Sequence, residues 1–187
     1  MHSRNMLALA VALAVPAMAA PIPSWTIDKA HSRVAFTASM NGQAINGSFR
    51  RFDARIAFDP ANLTGSSVVA VIDTGSAMTG DQTRDEALPS ADWFNVKLFP
   101  RATFAAKTFK SLGGGRYQAF GTLSIRGESH PVVMPFQLVI KGDDAQMRGS
   151  VAIDRRWFGV GQGQFATPDA IAANVKVNIA VTAHRAK

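Results

Sequence analysis

Asp28, His31 and Ser32 are the residue types of an acyl-transfer triad, and they stand almost side by side in this sequence. A working triad gathers nucleophile, base and orienting acid from separate parts of a fold. Three neighbours in one short run have the composition of a triad without its convergence. His31, His130 and His184 are widely spaced and contain no HxxxH-type pair, so metal-ligand spacing is missing as well. Gly159-Val160-Gly161-Gln162-Gly163 is glycine-rich, but no βαβ pattern surrounds it, which favours a mobile loop over a dinucleotide site. Asn62-Leu63-Thr64 is a glycosylation triplet that matters only in a eukaryotic secretory setting. The residues therefore point to a protein that binds, and the expectation is no enzymatic activity and no metal.

The elements that must position any binding site are short and alternating. His31 to Met40 places Val34, Phe36, Ala38 and Met40 on one face. Ile45 to Phe58 aligns Phe52, Ala54, Ile56 and Phe58, while Gly47 and the Arg50-Arg51 doublet break the alternation and predict a bulge or bend. Ser67 to Asp73, Arg101 to Phe109 and Tyr117 to Ile125 continue the pattern. So do the run of Val132, Met134, Phe136, Leu138 and Ile140, the segment Met147 to Ile153, and Ala173 to Ala183, giving about eight strands in all. Pro131 and Pro135 predict an edge or bulge in the sixth strand, where an exposed edge would support a homodimer.

Thr74 to Phe104 is where the period changes. Asp81 to Ser90 suits one short helix, with Thr79 or Asp81 as its cap, Asp85 and Glu86 in its early turns and Pro89 as its stop. Trp93 and Phe94 follow as two large aromatics that would pack on whatever the helix covers. The stretch reads as strand, lid helix, aromatic anchor, strand.

Each strand has one apolar and one polar face, as in antiparallel sheets with water on one side. Eight such strands are best closed into an up-and-down barrel, which leaves no bare edges; a β-sandwich is the second choice. Inward positions mix Phe, Met and Val with Ala38, Ala54, Ala102, Gly121 and Gly149. Either a lumen or the taper of a packed core would use such small residues.

Residues 1–19 read as a signal peptide: Arg4, the apolar run Met6 to Val15, then Ala17-Met18-Ala19 before the cleavage point. The apolar run is shorter than the roughly 20 residues needed to span a bilayer. The expected product is a periplasmic protein comprising residues 20–187, a one-domain length. The sequence has no cysteine, which excludes a disulfide framework, a thiolate metal site and c-type haem attachment. A formal charge of +7 falls only slightly when Arg4 is removed. Basic proteins favour phosphates, nucleic acid or anionic membrane surfaces. For an exported chain nucleic acid drops out, and a lipid phosphate or a membrane surface rises.

Several motifs together resemble the YceI-like family. They begin with Trp25-x-Ile27-Asp28-x-x-His31-Ser32-x-Val34-x-Phe36, then Gly47-x-Phe49-x-x-Phe52 and Phe58-Asp59-Pro60. Thr83-Arg84-Asp85, Leu88-x-Ser90-x-Asp92-x-Phe94 and Pro100-x-x-x-Phe104 follow. Gly121 to Gly127 and Arg156-x-Phe158-Gly159-Val160 complete a set that spans nearly the whole mature chain. The resemblance implies an all-β, extended eight-stranded antiparallel lipocalin-like barrel with one short lid helix. It also implies an exported protein that sequesters a long isoprenoid, either an isoprenoid quinone or a polyprenyl phosphate, with no covalent cofactor. Some relatives occur with b-type membrane cytochromes, which makes such a cytochrome a candidate partner beside the membrane surface.

On that reading the lumen is formed by Val34, Phe36, Ala38, Met40, Phe52, Ile56, Trp93, Phe94, Phe104, Leu123, Met134, Phe136, Met147 and Val151. Each isoprene unit buried adds several CH₂ groups at about 0.8 kcal/mol apiece, so affinity would come from length. Specificity would fall to polar groups at the mouth, with His31, Arg84, Asp85 and Arg156 as candidates. Arginine matches phosphate oxygens with its planar fork, and histidine can donate to a quinone carbonyl. The structural alternatives are an Arg84–Asp85 pair that anchors the lid stretch and a strand-end salt bridge at Arg156.

Overall fold

The structure, a computed structural model, describes residues 21–187, so the predicted signal peptide lies outside the described residues. In chain order the strands are β1 (Ser24–Ile27), β2 (Arg33–Met40), β3 (Gln43–Phe49), β4 (Phe52–Ala57), β5 (Ser67–Asp73) and β6 (Ala77–Met78). One helix, α1 (Gln82–Ala87), precedes β7 (Arg101–Gly113), β8 (Arg116–Ile125), β9 (Glu128–Lys141), β10 (Asp144–Asp154) and β11 (Asn174–Arg185). The neighbour order β1-β4-β5-β7-β8-β9-β10-β11 returns to β1 through a β1–β11 pairing. This is a closed eight-stranded antiparallel barrel, as the alternating pattern predicts, and closure removes the bare edges.

The first two strands of the sequence reading are each broken in two. β1 and β2 both lie along β11, separated by a turn at Lys29–His31 that Asp28 caps through the Ala30 and His31 amides. The bend expected at Arg50-Arg51 separates β3 from β4. β1 and β4 therefore close the barrel through Trp25 opposite Ile56, while β2 and β3 pair from Val34 opposite Phe49 to Met40 opposite Gln43. Between these two zippers, residues 26–33 and 50–55 face each other without sheet pairing. Beyond the ring, β2, β3 and β6 form a flap. β1 went unread as a strand because four residues are too few to show a period.

A second unpaired stretch lies where proline was expected to disturb the sheet. β9 and β10 pair only as far as Phe136 opposite Gly149, and Pro135 ends the ladder. The turn Arg155–Phe158 fills that gap: His130 Nε2 meets the Trp157 carbonyl at 2.9 Å, and Phe158 is completely buried beside Val132 and Ile153. Pro131 and Pro135 lie in the continuous β8–β9 ladder, and the other side of β9 at these residues is the expected edge, without a strand partner.

The helix is shorter than the expected Asp81 to Ser90, because Pro89 leaves its last turn irregular. Asp81 is its cap, accepting from the Arg84 amide. Asp85 reaches back to the Thr79 amide, the Thr79 hydroxyl and the Gly80 amide, which ties the helix to the chain entering it.

Candidate functional site

Alternation along the ring strands sends one set of side chains inward, and they enclose a cavity of about 210 Å³. All eight ring strands contribute to its wall: Val68, Ala70 and Ile72 from β5, for example, and Val177, Ile179 and Val181 from β11. Small residues on the wall leave the centre open; Ala54, Ala102 and Ala119 line it directly. Gly121 serves the same end differently, since a Cβ there would come within 2.6 Å of both the Phe104 ring and the Ala105 carbonyl. Among the residues that line the cavity Asp53 alone is polar.

Aromatic clusters pack at both ends of the barrel. At one end the Phe58 ring meets Phe109, Tyr117 and Phe136 edge-on at 5.2, 5.6 and 6.0 Å, the range in which such pairs attract. Trp25 joins them and donates its indole N–H to the Phe58 carbonyl at 2.9 Å. At the other end Phe94 is buried edge-on to Phe49, and Phe158, Val160 and Leu88 pack behind it. The lid stretch is thus the floor of the barrel. Arg126 pins it by donating to the Ala91 and Trp93 carbonyls, and the Gly161 and Gln162 amides both donate to the Asp92 carbonyl.

That floor is locked by Arg155. Its side chain is almost wholly buried and donates to five carbonyls, those of Val160, Gly161, Thr167, Ile171 and Ala172, at 2.8–3.2 Å. Burial holds its guanidinium below the ordinary arginine value. The glycine-rich segment read as a mobile loop is therefore clasped to the barrel. Gly159, Gly161 and Gly163 all have positive φ, which glycine adopts without strain, and a Cβ on Gly161 would come within 2.4 Å of Arg155 Nη1.

Ten of the predicted lumen residues line the cavity: Val34, Phe52, Ile56, Phe94 and Phe104 among them, with Leu123, Met134, Phe136, Met147 and Val151. Four do not. Phe36, Ala38 and Met40 share a face with Val34, but they lie where β2 pairs with β3 in the flap. The Phe36 ring occupies the space over Gly47, where a Cβ would come within 2.2 Å of it, and Met40 bridges to Ile171. Trp93 packs on Phe165 at 5.1 Å, within the clasp. Val68, Ala70 and Ile72 of β5 and Val177, Ile179 and Val181 of β11 also line the cavity, on strands the sequence reveals but to which it assigns no site residue. Trp25 and Ile27, on the unread β1, were missed.

The four predicted head-group residues are not brought together, and none lines the cavity. Arg84 contacts Asp81 at 3.5 Å and Thr79 Oγ1 at 3.2 Å, so its carboxylate partner is Asp81 in place of the expected Asp85. Burial pushes the Asp85 carboxyl up, but the Thr79 and Gly80 hydrogen bonds outweigh it and leave the group below its ordinary value. Arg156 forms the strand-end salt bridge, to Asp154 at 2.6 Å, and its hydrogen bonds hold the Asp154 carboxyl below the usual range. His31 Nδ1 contacts Asp28 at 2.7 Å, and His184, distant in sequence, comes within 3.9 Å of the same carboxylate. Ser32 turns away from His31: its hydroxyl donates to the Thr182 carbonyl and accepts from the Thr182 amide.

The unpaired seam between residues 26–33 and 50–55 carries a charged contact at the cavity wall. Lys29 Nζ donates to Asp53 Oδ2 at 2.7 Å across it, and that hydrogen bond holds the Asp53 carboxyl below its ordinary value. Both side chains are more than half exposed, so the pair is worth about 0.2–1 kcal/mol. Ile27 and Val34 line the cavity on one edge of the seam, and Phe49, Phe52 and Ala54 on the other.

Comparison with known proteins gives a consistent picture. The family profile of the YceI-like domain matches residues 25–183. A UPF0312 protein of Vibrio cholerae is 30% identical over 161 residues, covering 81% of this chain and 85% of that protein. A UPF0312 protein of Azotobacter vinelandii is 32% identical over 173 residues, covering 86% and 88%. Among solved structures, Burkholderia cenocepacia BcnA superposes with a TM-score of 0.81 at 29% identity, covering 83% of this chain and 98% of that one. A polyisoprenoid binding domain from Saccharophagus degradans, implicated in plant cell wall breakdown, has a TM-score of 0.70 over 87% of this chain and 98% of its own. At 15% identity that second likeness establishes the shared fold.

Proposed function

Because the chain belongs to the YceI-like family, we propose that it is an exported, non-enzymatic carrier or store of a long isoprenoid lipid held in the barrel. The observation that carries this reading is the cavity: an apolar lumen of about 210 Å³ with aromatic clusters at both ends and one polar residue on its wall. A slender chain of repeated branched C₅ units fits such a space and needs no polar partner inside it. Burial of each CH₂ contributes about 0.8 kcal/mol, so a few units suffice for tight binding. The likeness to the Saccharophagus polyisoprenoid binding domain agrees with this at the level of fold. The open lumen weighs against a barrel filled by side chains that acts only through protein or membrane contacts.

Export to the periplasm, a quinone or polyprenyl phosphate head group, a membrane b-type cytochrome or membrane surface as partner, and a homodimer complete the proposal. Titration of the protein with a long-chain isoprenoid quinone and with a polyprenyl phosphate, read by tryptophan fluorescence, tests it. Trp25 lines the cavity, so saturable quenching by the quinone is expected, and a saturable shift of Trp25 emission by the polyprenyl phosphate. Absence of any saturable change with both lipids contradicts the carrier reading.

A further inference from the structure

Two stretches of the barrel wall lack sheet pairing, and they are treated differently. The β9–β10 gap is plugged by the buried Phe158. The seam between residues 26–33 and 50–55 contains no buried residue, and the cavity wall runs along both of its edges, through Ile27 on one side and Phe52, Asp53 and Ala54 on the other. Phe52 and Asp53 also line a shallow groove on the outer surface with Arg51, Val71, Asp73 and Arg101. That groove lies on the β5 side of β4; at the seam, inside and outside meet at Asp53, which is exposed and yet on the cavity wall. The two aromatic clusters leave no comparable polar point at the barrel ends.

Register fixes which charges stand around this opening. Arg33 and Arg50 are the first residues beyond the last β2–β3 pair, Val34 opposite Phe49, so they occupy one fork of the seam. Arg55 stands at the other fork, next to Ile56 of the β1–β4 pair. Lys29 and Asp53 bridge the middle. Arg33, Arg50 and Arg55 are all exposed, and none of them has a carboxylate within salt-bridge distance among the described residues. Arg51 is already held by Asp73 at 2.8 Å. Cations thus outnumber carboxylates around the mouth of an apolar cavity.

We propose that this seam is the cavity's entrance, and that an anionic head group of the phosphate class docks there on Lys29, Arg33 and Arg50 while its hydrocarbon chain lies inside. The inference rests on the reading of the cavity as an isoprenoid site. Asp53 competes with the head group for Lys29, so the Lys29–Asp53 contact is a latch that an incoming anion exchanges. Solvent exposure of both latch residues makes that exchange easy.

The test compares geranylgeranyl diphosphate, geranylgeraniol and inorganic diphosphate on the same protein by calorimetric titration. The lipid diphosphate is expected to bind about tenfold or more tightly than the alcohol, the increment of one charge-assisted contact. Arg33→Ala combined with Arg50→Ala should remove that preference, and Asp53→Asn should widen it. These positions are exposed, and circular dichroism verifies that each variant folds. Failure of the alcohol and the lipid diphosphate alike would overturn the isoprenoid reading of the cavity. Equal affinity for the two, or a preference that survives loss of both arginines, would overturn the seam site and leave the cavity reading standing. Inorganic diphosphate binding as tightly as the lipid would assign the cluster to a free anion and overturn the head-group placement.

Discussion

Arg155 Nη2 donates to the Ile171 carbonyl at 2.8 Å, which fastens the segment after β10 back onto the end of the same strand. Four further carbonyls are held by the same guanidinium, and among the described residues no carboxylate lies within salt-bridge distance of it. Removal would strand buried acceptors that water cannot reach.

Arg155→Met should therefore destabilise the protein by about 3 kcal/mol or more, each buried unpaired acceptor costing about 1–3 kcal/mol. In a domain of this size each kcal/mol lowers Tm by roughly 2–4 °C, so thermal melting reads the effect directly. Arg155→Lys should rescue little, because one ammonium cannot replace a planar fork with five donors. A melting temperature within a degree of wild type would contradict the clasp.

Charge placed on the cavity wall should block lipid uptake. Phe104→Glu and Phe136→Glu are expected to abolish quenching by a long-chain quinone in variants that still fold, since both rings line the lumen. Phe36→Glu should instead act on stability, because its ring packs over Gly47 and against Phe49 at 5.5 Å, away from the lumen. Loss of binding by Phe36→Glu with unchanged Tm would place the ligand on the β2–β3 flap.

Gly121 is fixed by contact. Gly121→Val would drive its side chain into the Phe104 ring and the Ala105 carbonyl, both 2.6 Å from the Cβ position. Overpacking of that kind costs about 1–3 kcal/mol, and Tm should fall accordingly. Since the strain pushes Phe104 into the lumen, binding of the quinone should weaken as well.

Acid should erode stability through Asp154. The Arg156 hydrogen bonds depress its carboxyl in the folded state. A depressed folded value means the stabilisation is complete above the unfolded value of about 3.9 and is lost as pH falls through the folded value below it. Asp154→Asn should be less stable than wild type at pH 7, and that difference should shrink as the pH is taken below about 4. Urea melts at several pH values measure both slopes; a difference that stays constant with pH would contradict the pairing.

Much of the barrel was legible because its strands are half-buried and alternate. Ser67 to Asp73 was read with the bounds it has, and the bend at Arg50-Arg51 was visible as broken alternation. Nine of the ten lumen residues followed from that periodicity, and Phe94 from its place as an aromatic anchor after the helix. What alternation cannot show is where a strand leaves the ring: Phe36, Ala38 and Met40 share Val34's face, yet β2 carries them into the flap. Nor does it reveal long-range partners. Arg155, next to the expected Arg156, proved to be the buried cation, and the relation of Lys29 to Asp53 depends on a register set by β1, too short to be read.

The central claim is that the barrel holds an isoprenoid lipid. Mass spectrometry of protein purified under native conditions and then extracted with organic solvent tests it most directly. The account predicts a co-purifying isoprenoid lipid that is absent from the Phe104→Glu and Phe136→Glu variants. No lipid in the extract, together with no binding of added quinone or polyprenyl phosphate, would contradict it.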